Sequence, residues 1–355
     1  MGFYDGRSYY VHLLLKYQCR EGHKIFFVSN NADAGERVSG TGAEFFCMPF
    51  LSDKKRMLKA RSVLTDFAES EKIDIIHTHH RYYELIANSL KKKLDIKTVF
   101  TALSIVDRRY FVEYRSDRII AVSNAVKSML INKFAVKKER IELIPNFTDT
   151  EELDSPKTSA ERNDHFIQMI NEKKRNGYRI LLSVGRYHRD KDHMTLLRAV
   201  SEAEEKKYFT LIIGNGDEEN NYSDIIREKK IDAALIPGQK NLRPFYNAAD
   251  ICILCSKRDP LPGFMLQSGL FKKPFIGSDT DGIKEVIEDN VNGLIFRKGN
   301  FIELKDKINL LTKSRTFSEK LASALHGKVM KDYTEKKIIP QIESVYKSLK
   351  ENQES

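Results

Sequence analysis

Three groups of residues in this 355-residue chain could do chemistry. The first lies between Asp259 and Phe296, in DPLPGFMLQSGLFKKPFIGSDTDGIKEVIEDNVNGLIF. Its opening turn is rich in Pro and Gly, and Pro262 suits the first turn of a helix, where its missing N–H costs nothing. That helix carries Phe264, Leu266 and Leu270, with Lys272 and Lys273 at its negative end. A short apolar strand over 274–277 follows, then a polar loop and a second helix from about Ile283 that carries Glu285. Two helix N-termini at the carboxyl ends of neighbouring strands make a crevice suited to an anionic ligand. The second group is Gly185-Arg186 with Lys191, two cations after a strand. The third is His77, His79 and His80 at the carboxyl end of another strand, where α/β sites form. His77 and His79 are expected to face opposite ways, which argues against one shared metal.

Two further motifs carry less. Gly214-Asn215-Gly216 lacks the third glycine of a dinucleotide fingerprint, and Asp217-Glu218-Glu219 after it would repel a pyrophosphate. Cys252 and Cys255 have redox or metal-like spacing. On a buried strand, residues three apart point to opposite faces, which makes both thiols structural.

The elements that must position these groups alternate between strand and helix. The first half reads as an amphipathic helix over 6–20 with Val11, Leu14 and Leu15 on one face. Strands at 24–29, 43–50, 73–78, 98–103, 118–122 and 141–145 follow. Helices at 52–70, 84–93 and 124–134 separate some of them, the last capped by Ser123. The second half reads as strands at 179–185, 208–214, 234–237 and 251–255. Its helices fall at 193–205, around 224–230 and at 242–249, and three helical segments follow Asn300. Such alternation predicts an α/β fold with parallel sheets and βαβ crossovers. The expected domains are 1–148, a linker with a surface helix over 149–177, a second domain over 178–330, and a helix over 331–355 that crosses back to the first.

Composition sets the class. The chain is 41% hydrophobic and 31% charged, as a soluble globular protein is. No apolar run approaches the ~20 residues of a spanning helix. The first residues lack a signal-peptide pattern, so a cytoplasmic protein is expected. Four cysteines do not suggest a disulfide framework. The net charge of +10 is uneven: residues 1–148 hold 25 Lys and Arg against 17 Asp and Glu. A basic first half suits an anionic membrane surface or an acidic acceptor, or equally a solvated Lys-rich face; nucleic acid is the weaker partner.

The stretch 259–296 resembles the donor-binding signature of retaining glycosyltransferases with the GT-B fold, family four. The family pattern runs Glu-x7-Glu, Gly-Lys-Pro-Val, Gly-Gly-x-x-Glu-Val and Asn-Gly-Leu. Here Asp259 and Gln267 hold the two acidic positions. Lys273-Pro274-Phe275, Asp281-Gly282-Ile283-Lys284-Glu285-Val286 and Asn292-Gly293-Leu294 follow in order. Ile119 to Ser123 and Ile144 to Asp149 also resemble family segments. Gly185-Arg186 and Lys191 resemble its Gly-Arg-x4-Lys element.

The resemblance implies two Rossmann-like domains with a cleft between them. It implies transfer, with retention, of a hexose or N-acetylhexosamine from a nucleotide diphosphate sugar, UDP rather than GDP. The acceptor would be a saccharide or lipid-linked, in cell-surface polysaccharide or lipopolysaccharide synthesis, with the protein peripheral to the membrane. Asp259, His79, Arg186 and Lys191 are its expected catalytic residues. Gly185, Arg186, Lys191, Gly214, Gly216, Asp259, Gly263, Gln267, Gly282 and Glu285 are its expected donor-binding residues. Arg186 and Lys191 would stabilise the leaving diphosphate, Asp259 would bind the sugar hydroxyls, Gln267 would face the ribose, and His79 would lie near the anomeric carbon. No metal and no resident cofactor is implied, the nucleotide sugar being a co-substrate. A nucleotide-sugar epimerase on the same fold, or a non-catalytic nucleotide-sugar-binding protein, are the rival expectations. The family begins with an apolar strand for which Met1 to Asp5 are too short and polar. A natural start upstream, or a truncated first domain, is therefore expected.

Overall fold

The computed structural model describes residues 6–108, 113–154, 165–203 and 207–354. Past the first six residues the chain divides into two compact units, Arg7–Asn146 with Glu335–Ser355, and Phe147–Thr334.

In the first unit α1 (Gly6–Arg20), β1 (Phe26–Ser29), α2 (Ala34–Val38) and β2 (Glu44–Cys47) lead into two 3-10 turns, Pro49–Ser52 and Lys54–Arg56. Then come α3 (Met57–Ser70), β3 (Ile75–Thr78), α4 (Arg81–Lys91), β4 (Lys97–Ala102), β5 (Arg118–Ala121), α5 (Asn124–Asn132) and β6 (Ile141–Leu143). The strands form two parallel sheets, β1–β2 and β3–β4–β5–β6. Among the described residues no ladder joins them, so β1 and β3 lack the double-sided cover a central strand has. All four residues of β1 are only half-buried, while β4 is buried from Thr98 to Ala102. One apolar cluster nevertheless spans both sheets: Val28 and Ile76 pack with Met48, Leu51, Ala60, Ile86 and Leu90. Residues 1–5, where a first strand was sought, lie outside the described residues, as does the polar run 155–164.

Helix α1 is buried on more than the one face its pattern suggests, because Tyr10, Leu13 and Tyr17 are buried as well as Val11, Leu14 and Leu15. The predicted helix over 52–70 starts late: the chain up to Arg56 forms 3-10 turns, and α3 begins only at Met57. Ser123 does cap α5, its Oγ accepting from the Val126 N–H at 3.3 Å.

The second unit holds α6 (His165–Arg175), β7 (Arg179–Val184), α7 (His193–Ser201), β8 (Tyr208–Ile213), α8 (Glu219–Glu228), β9 (Ala233–Ile236) and α9 (Arg243–Ala248). It continues with β10 (Ile251–Leu254), α10 (Gly263–Leu270), β11 (Phe275–Ser278), α11 (Asp281–Lys284), β12 (Leu294–Phe296), α12 (Phe301–Lys313) and α13 (Arg315–Asp332). The last helix, α14 (Glu335–Glu354), belongs to the first unit. There His23 meets Glu343 at 2.7 Å and Lys350 meets Asp74 at 3.0 Å.

The six strands of the second unit form one parallel sheet in the order β12-β11-β10-β7-β8-β9. All of β8, β10 and β11 is buried. Near-continuous apolar strands are what a sheet covered on both faces requires. The chain winds outward from β7 through β9, then returns to β10 on the other side of β7 and winds outward again. The order therefore reverses between β7 and β10. At such a switch point the loops after the two strands diverge and leave a crevice.

Candidate functional site

The loops after β7 and β10 are joined at the switch point. The Lys191 Nζ donates to Asp259 Oδ2 at 2.5 Å, and the side chains are 23% and 5% exposed. The Lys257 N–H donates to the Asp190 carbonyl at 2.7 Å, and the Lys257 ammonium lies 3.5 Å from Asp192. Ser256 Oγ approaches the same Asp259 oxygen at 3.4 Å. Asp192, just ahead of α7, has a left-handed backbone with φ of 49°, and Thr195 Oγ1 donates to its carboxylate at 2.8 Å.

His193 buttresses this corner from below. It is fully buried; its Nδ1 lies 3.1 Å from Ser183 Oγ and its Nε2 3.3 Å from the Gly185 carbonyl. A carbonyl can only accept, so Nε2 carries the proton and Nδ1 accepts from the serine. Burial pushes the ring's pKa down to about 4; the Gly185 carbonyl opposes that shift and the Lys191 charge adds to it.

The glycines let backbones approach. A Cβ on Gly214 would lie 2.0 Å from the Gly185 carbonyl oxygen, and one on Gly282 would lie 2.3 Å from Pro260 O and 2.4 Å from Asp259 O. Only glycine fits at either place. Gly214 thus locks the loop after β8 to the loop after β7, and Gly282 locks the loop after β11 to the loop after β10. Gly216 sits beside the Tyr187 backbone in the same way, Gly185 is in ordinary contact with Lys191 and His193, and Gly263 opens α10 with free space around it.

Gly185, Lys191, Asp259, Gly214 and Gly282 therefore share one corner of the second unit. Arg186 is exposed at its rim and makes no ion pair among the described residues. Gln267 lies elsewhere on α10. It is 7% exposed, its Oε1 accepts from Tyr246 Oη at 2.9 Å, and its Nε2 lies 3.4 Å from Glu152 Oε2. Tyr246 is itself fixed by stacking on Phe271, with ring centroids 5.0 Å apart. Glu285 is not carried within the second helix. Helix α11 is four residues long and Glu285 caps its C-terminal end, where the dipole disfavours an acid. Lys272 and Lys273 likewise fall beyond the end of α10. Lys273 is drawn in, its Nζ donating to the Asn247 carbonyl at 3.1 Å and burial lowering its pKa.

In the first unit His77 and His79 do not face opposite ways: their ring centroids are 4.5 Å apart. Residues two apart along a strand share a face, so the period-2 pleat itself brings the two rings together. Tyr346 Oη lies 2.5 Å from Gln18 Nε2 and 2.6 Å from His77 Nδ1, and His77 Nε2 lies 2.7 Å from Thr101 Oγ1. The amide donates to the hydroxyl, which donates to Nδ1, so the His77 proton faces Thr101. His79 packs edge-on against Tyr10 and its buried Nδ1 has no hydrogen-bond partner among the described residues. Burial, with help from the Arg7 charge, lowers its pKa to about 3. His80 caps α4, its Nδ1 accepting from the Tyr82 N–H at 3.3 Å. Among the described residues no three His, Cys, Asp or Glu gather to hold a metal ion. Cys252 and Cys255 are buried, and burial pushes the Cys252 thiol up to about 12.

Two residues escaped the sequence reading. His193 lies inside the matched element yet looked like an ordinary helix start. Glu152 sits 115 residues before its partner Gln267 in a segment read as linker, and no local signal links the two.

Comparison with known proteins agrees with this architecture. The family model described as "Glycosyltransferase Family 4" matches residues 4–152, and "Glycosyl transferases group 1" matches 165–326. A glycosyltransferase of Methanocaldococcus jannaschii is 24% identical over 309 residues, 82% of this chain and 80% of that one. The capsular polysaccharide biosynthesis glycosyltransferase CapM of Staphylococcus aureus is 22% identical over 262 residues, 69% of this chain and 67% of its own length. Among solved structures, Anabaena HepE in complex with UDP-glucose superposes with a TM-score of 0.83 at 14% identity, covering 98% of this chain and 97% of that one. With the two family models following one another along the chain and parallel α/β sheets in both units, the protein belongs to the GT-B glycosyltransferases of group 1, family 4.

Proposed function

We propose that this protein transfers a hexose or N-acetylhexosamine from a nucleotide diphosphate sugar, UDP rather than GDP, to a saccharide or lipid-linked acceptor. The anomeric configuration is retained, and the product serves cell-surface polysaccharide or lipopolysaccharide assembly. The observation that carries the reading is the Lys191–Asp259 pair at the switch point of the second unit, with exposed Arg186 beside it. The UDP-glucose bound by HepE and the capsular role in CapM's name support the nucleotide and the product class.

On this reading the diphosphate lies against Arg186 and Lys191. Charge grows on the leaving diphosphate as the glycosidic bond breaks, and fixed cations stabilise it. Arg186 can bind two oxygens at once, whereas Lys191 acts as a point charge. Asp259, held by Lys191, accepts from sugar hydroxyls. Gln267 faces the ribose, with the Glu152 carboxylate next to it. The acceptor hydroxyl attacks on the face from which the diphosphate departs, its proton passing to a donor phosphate oxygen, so no enzymic nucleophile is needed.

The test is Arg186→Ala. The side chain is exposed, so its removal leaves the melting temperature unchanged, and kcat/KM for UDP-sugars should fall on the order of a hundredfold or more. Unchanged kcat/KM overturns the donor-site assignment. Product formed from donor with no acceptor present would instead establish epimerisation.

A further inference from the structure

We infer that Glu152, far outside the stretch 259–296, is the carboxylate that accepts the ribose hydroxyls of the nucleotide. This rests on the proposed donor reading, in which the ribose lies against Gln267, and adds the residue that binds it there. Gln267 by itself is ill suited to the task. A ribose presents two neighbouring hydroxyls, and a carboxylate has two negative oxygens with which to accept from both. Gln267 has one acceptor oxygen, and that oxygen already accepts from Tyr246 Oη at 2.9 Å. Burial raises the Tyr246 pKa well above the ordinary phenol value, so its hydroxyl keeps the proton it donates. The Gln267 amide nitrogen faces the other way, 3.4 Å from Glu152 Oε2. Turning the amide over would set its oxygen against a carboxylate oxygen, two acceptors with no proton between them. The remaining amide proton is what Gln267 can offer a ligand, and the acceptor capacity lies with Glu152.

The local chain holds Glu152 in place for this. It ends the 3-10 turn Thr150–Glu152, which Asp149 caps, its Oδ1 accepting from the Glu151 N–H at 2.9 Å. Asp149 is buried, and the Thr148 N–H donates to the Tyr333 carbonyl at 2.9 Å, so the turn is tied to the body of the second unit. Glu152 is half-buried, which leaves part of it open to a ligand while one oxygen faces Gln267. Gln267 stands one turn into α10, roughly 6 Å along the axis from Gly263. The loop that leads into this helix carries Asp259, so the proposed sugar and ribose contacts follow one another along a single element. The pairing also accounts for the amide at 267. A second carboxylate at this distance from Glu152 would repel it, so the site has room for one acid, and Glu152 supplies it.

The experiment titrates the full chain calorimetrically with UDP and GDP, then with the 2′,3′-dideoxy form of whichever binds. The parent should bind the ribose form more tightly than the dideoxy form by on the order of tenfold, the worth of a hydrogen bond to a charged group. Glu152→Gln should weaken the ribose form by about tenfold and leave the dideoxy form unchanged. Glu152→Gln with Gln267→Glu, which moves the carboxylate across the pair, should recover most of the lost affinity. Melting temperatures confirm that the variants are folded. The dideoxy ligand separates binding from scaffolding, because a disturbed site would weaken both ligands alike. Equal losses for the two ligands overturn the inference, as does nucleotide affinity that Glu152→Gln leaves unaltered. In either case a nucleotide affinity that Arg186→Ala lowers leaves the donor reading standing. A parent that binds neither UDP nor GDP overturns the donor reading and the role of Glu152 together.

Discussion

Gln267→Glu should make the second unit less stable, and more so at neutral than at acid pH. In the parent the Gln267 amide donates toward Glu152 Oε2 at 3.4 Å, while Tyr246 holds the other end of the side chain. A carboxylate at 267 keeps the tyrosine bond but aims a second negative oxygen at Glu152. At 3.4 Å, with an effective dielectric of about 20, the repulsion is about 5 kcal/mol. Proton uptake caps this. Protonating a carboxyl of ordinary pKa ~4.3 at pH 7 costs about 4 kcal/mol, and at pH 5 only about 1 kcal/mol, so one of the pair takes a proton. The folded-state pKa is then raised above the unfolded value. That gives stability present at low pH and lost as pH rises through the folded pKa. Thermal unfolding should therefore show a deficit of about 8–15 °C near pH 7 that shrinks to a few degrees near pH 5. Glu152→Gln added to Gln267→Glu should restore most of the loss. A deficit independent of pH, or one that the second substitution leaves in place, refutes the argument.

Three further outcomes follow from the corner around Lys191. Lys191→Ala should reduce both turnover and stability, because Asp259 is left buried without its cation; a melting temperature equal to the parent's would show that the pair is not structural. Gly214→Ala should unfold or severely destabilise the second unit, since its Cβ would sit 2.0 Å from a carbonyl oxygen, whereas Gly263→Ala should be tolerated; denaturant midpoints of the two compare them directly. His193 and His79 have lowered pKa values of about 4 and about 3, so the folded chain stays unprotonated there while the unfolded chain takes up protons below about 6.5. Their contribution is complete above that value and declines by roughly 1 kcal/mol per pH unit per histidine as pH falls. The stability gap between parent and His193→Gln should accordingly narrow from pH 6.5 to 4.

The order of strands and helices was legible because local periodicity and caps carry it. Ser123 before an apolar helical run, and Arg179 to Val184 as a continuous apolar strand, are signals that tertiary context did not override. The gathering of Gly185, Lys191, Gly214, Asp259 and Gly282 in one corner was legible because glycines and cations sit at fixed offsets from strand ends. Partners that meet through the fold were not legible. Glu152 reaches Gln267 and Tyr346 reaches His77 across 115 and 269 residues, and no periodicity encodes such a meeting. The histidine pair was misread for a different reason. A period of two puts residues 77 and 79 on one face, so the pleat already brings the rings together. Glu285 was misplaced because a four-residue helix leaves too few positions for a pattern to fix its end.

The pairing of Lys191 with Asp259 also bears on how the two cations divide their work. Lys191 is already neutralised by a carboxylate that is almost wholly buried, so the local field it presents is that of an ion pair rather than a free charge. Arg186 is exposed and makes no ion pair among the described residues. An incoming diphosphate would meet Arg186 as a full charge. To recruit Lys191 it would have to share the ammonium, which has three donors and can serve a carboxylate and a phosphate together. On the proposed reading, donor affinity in the ground state would rest chiefly on Arg186. Lys191 would act chiefly as negative charge builds on the leaving group and draws the ammonium away from Asp259, freeing that carboxylate for the sugar. The split is measurable: Arg186→Ala should raise KM for the donor more than Lys191→Met does, and Lys191→Met should lower kcat with a smaller change in KM. Equal effects of both substitutions on KM, with kcat untouched, would mean that the two cations do the same job and that the ion pair is only a scaffold.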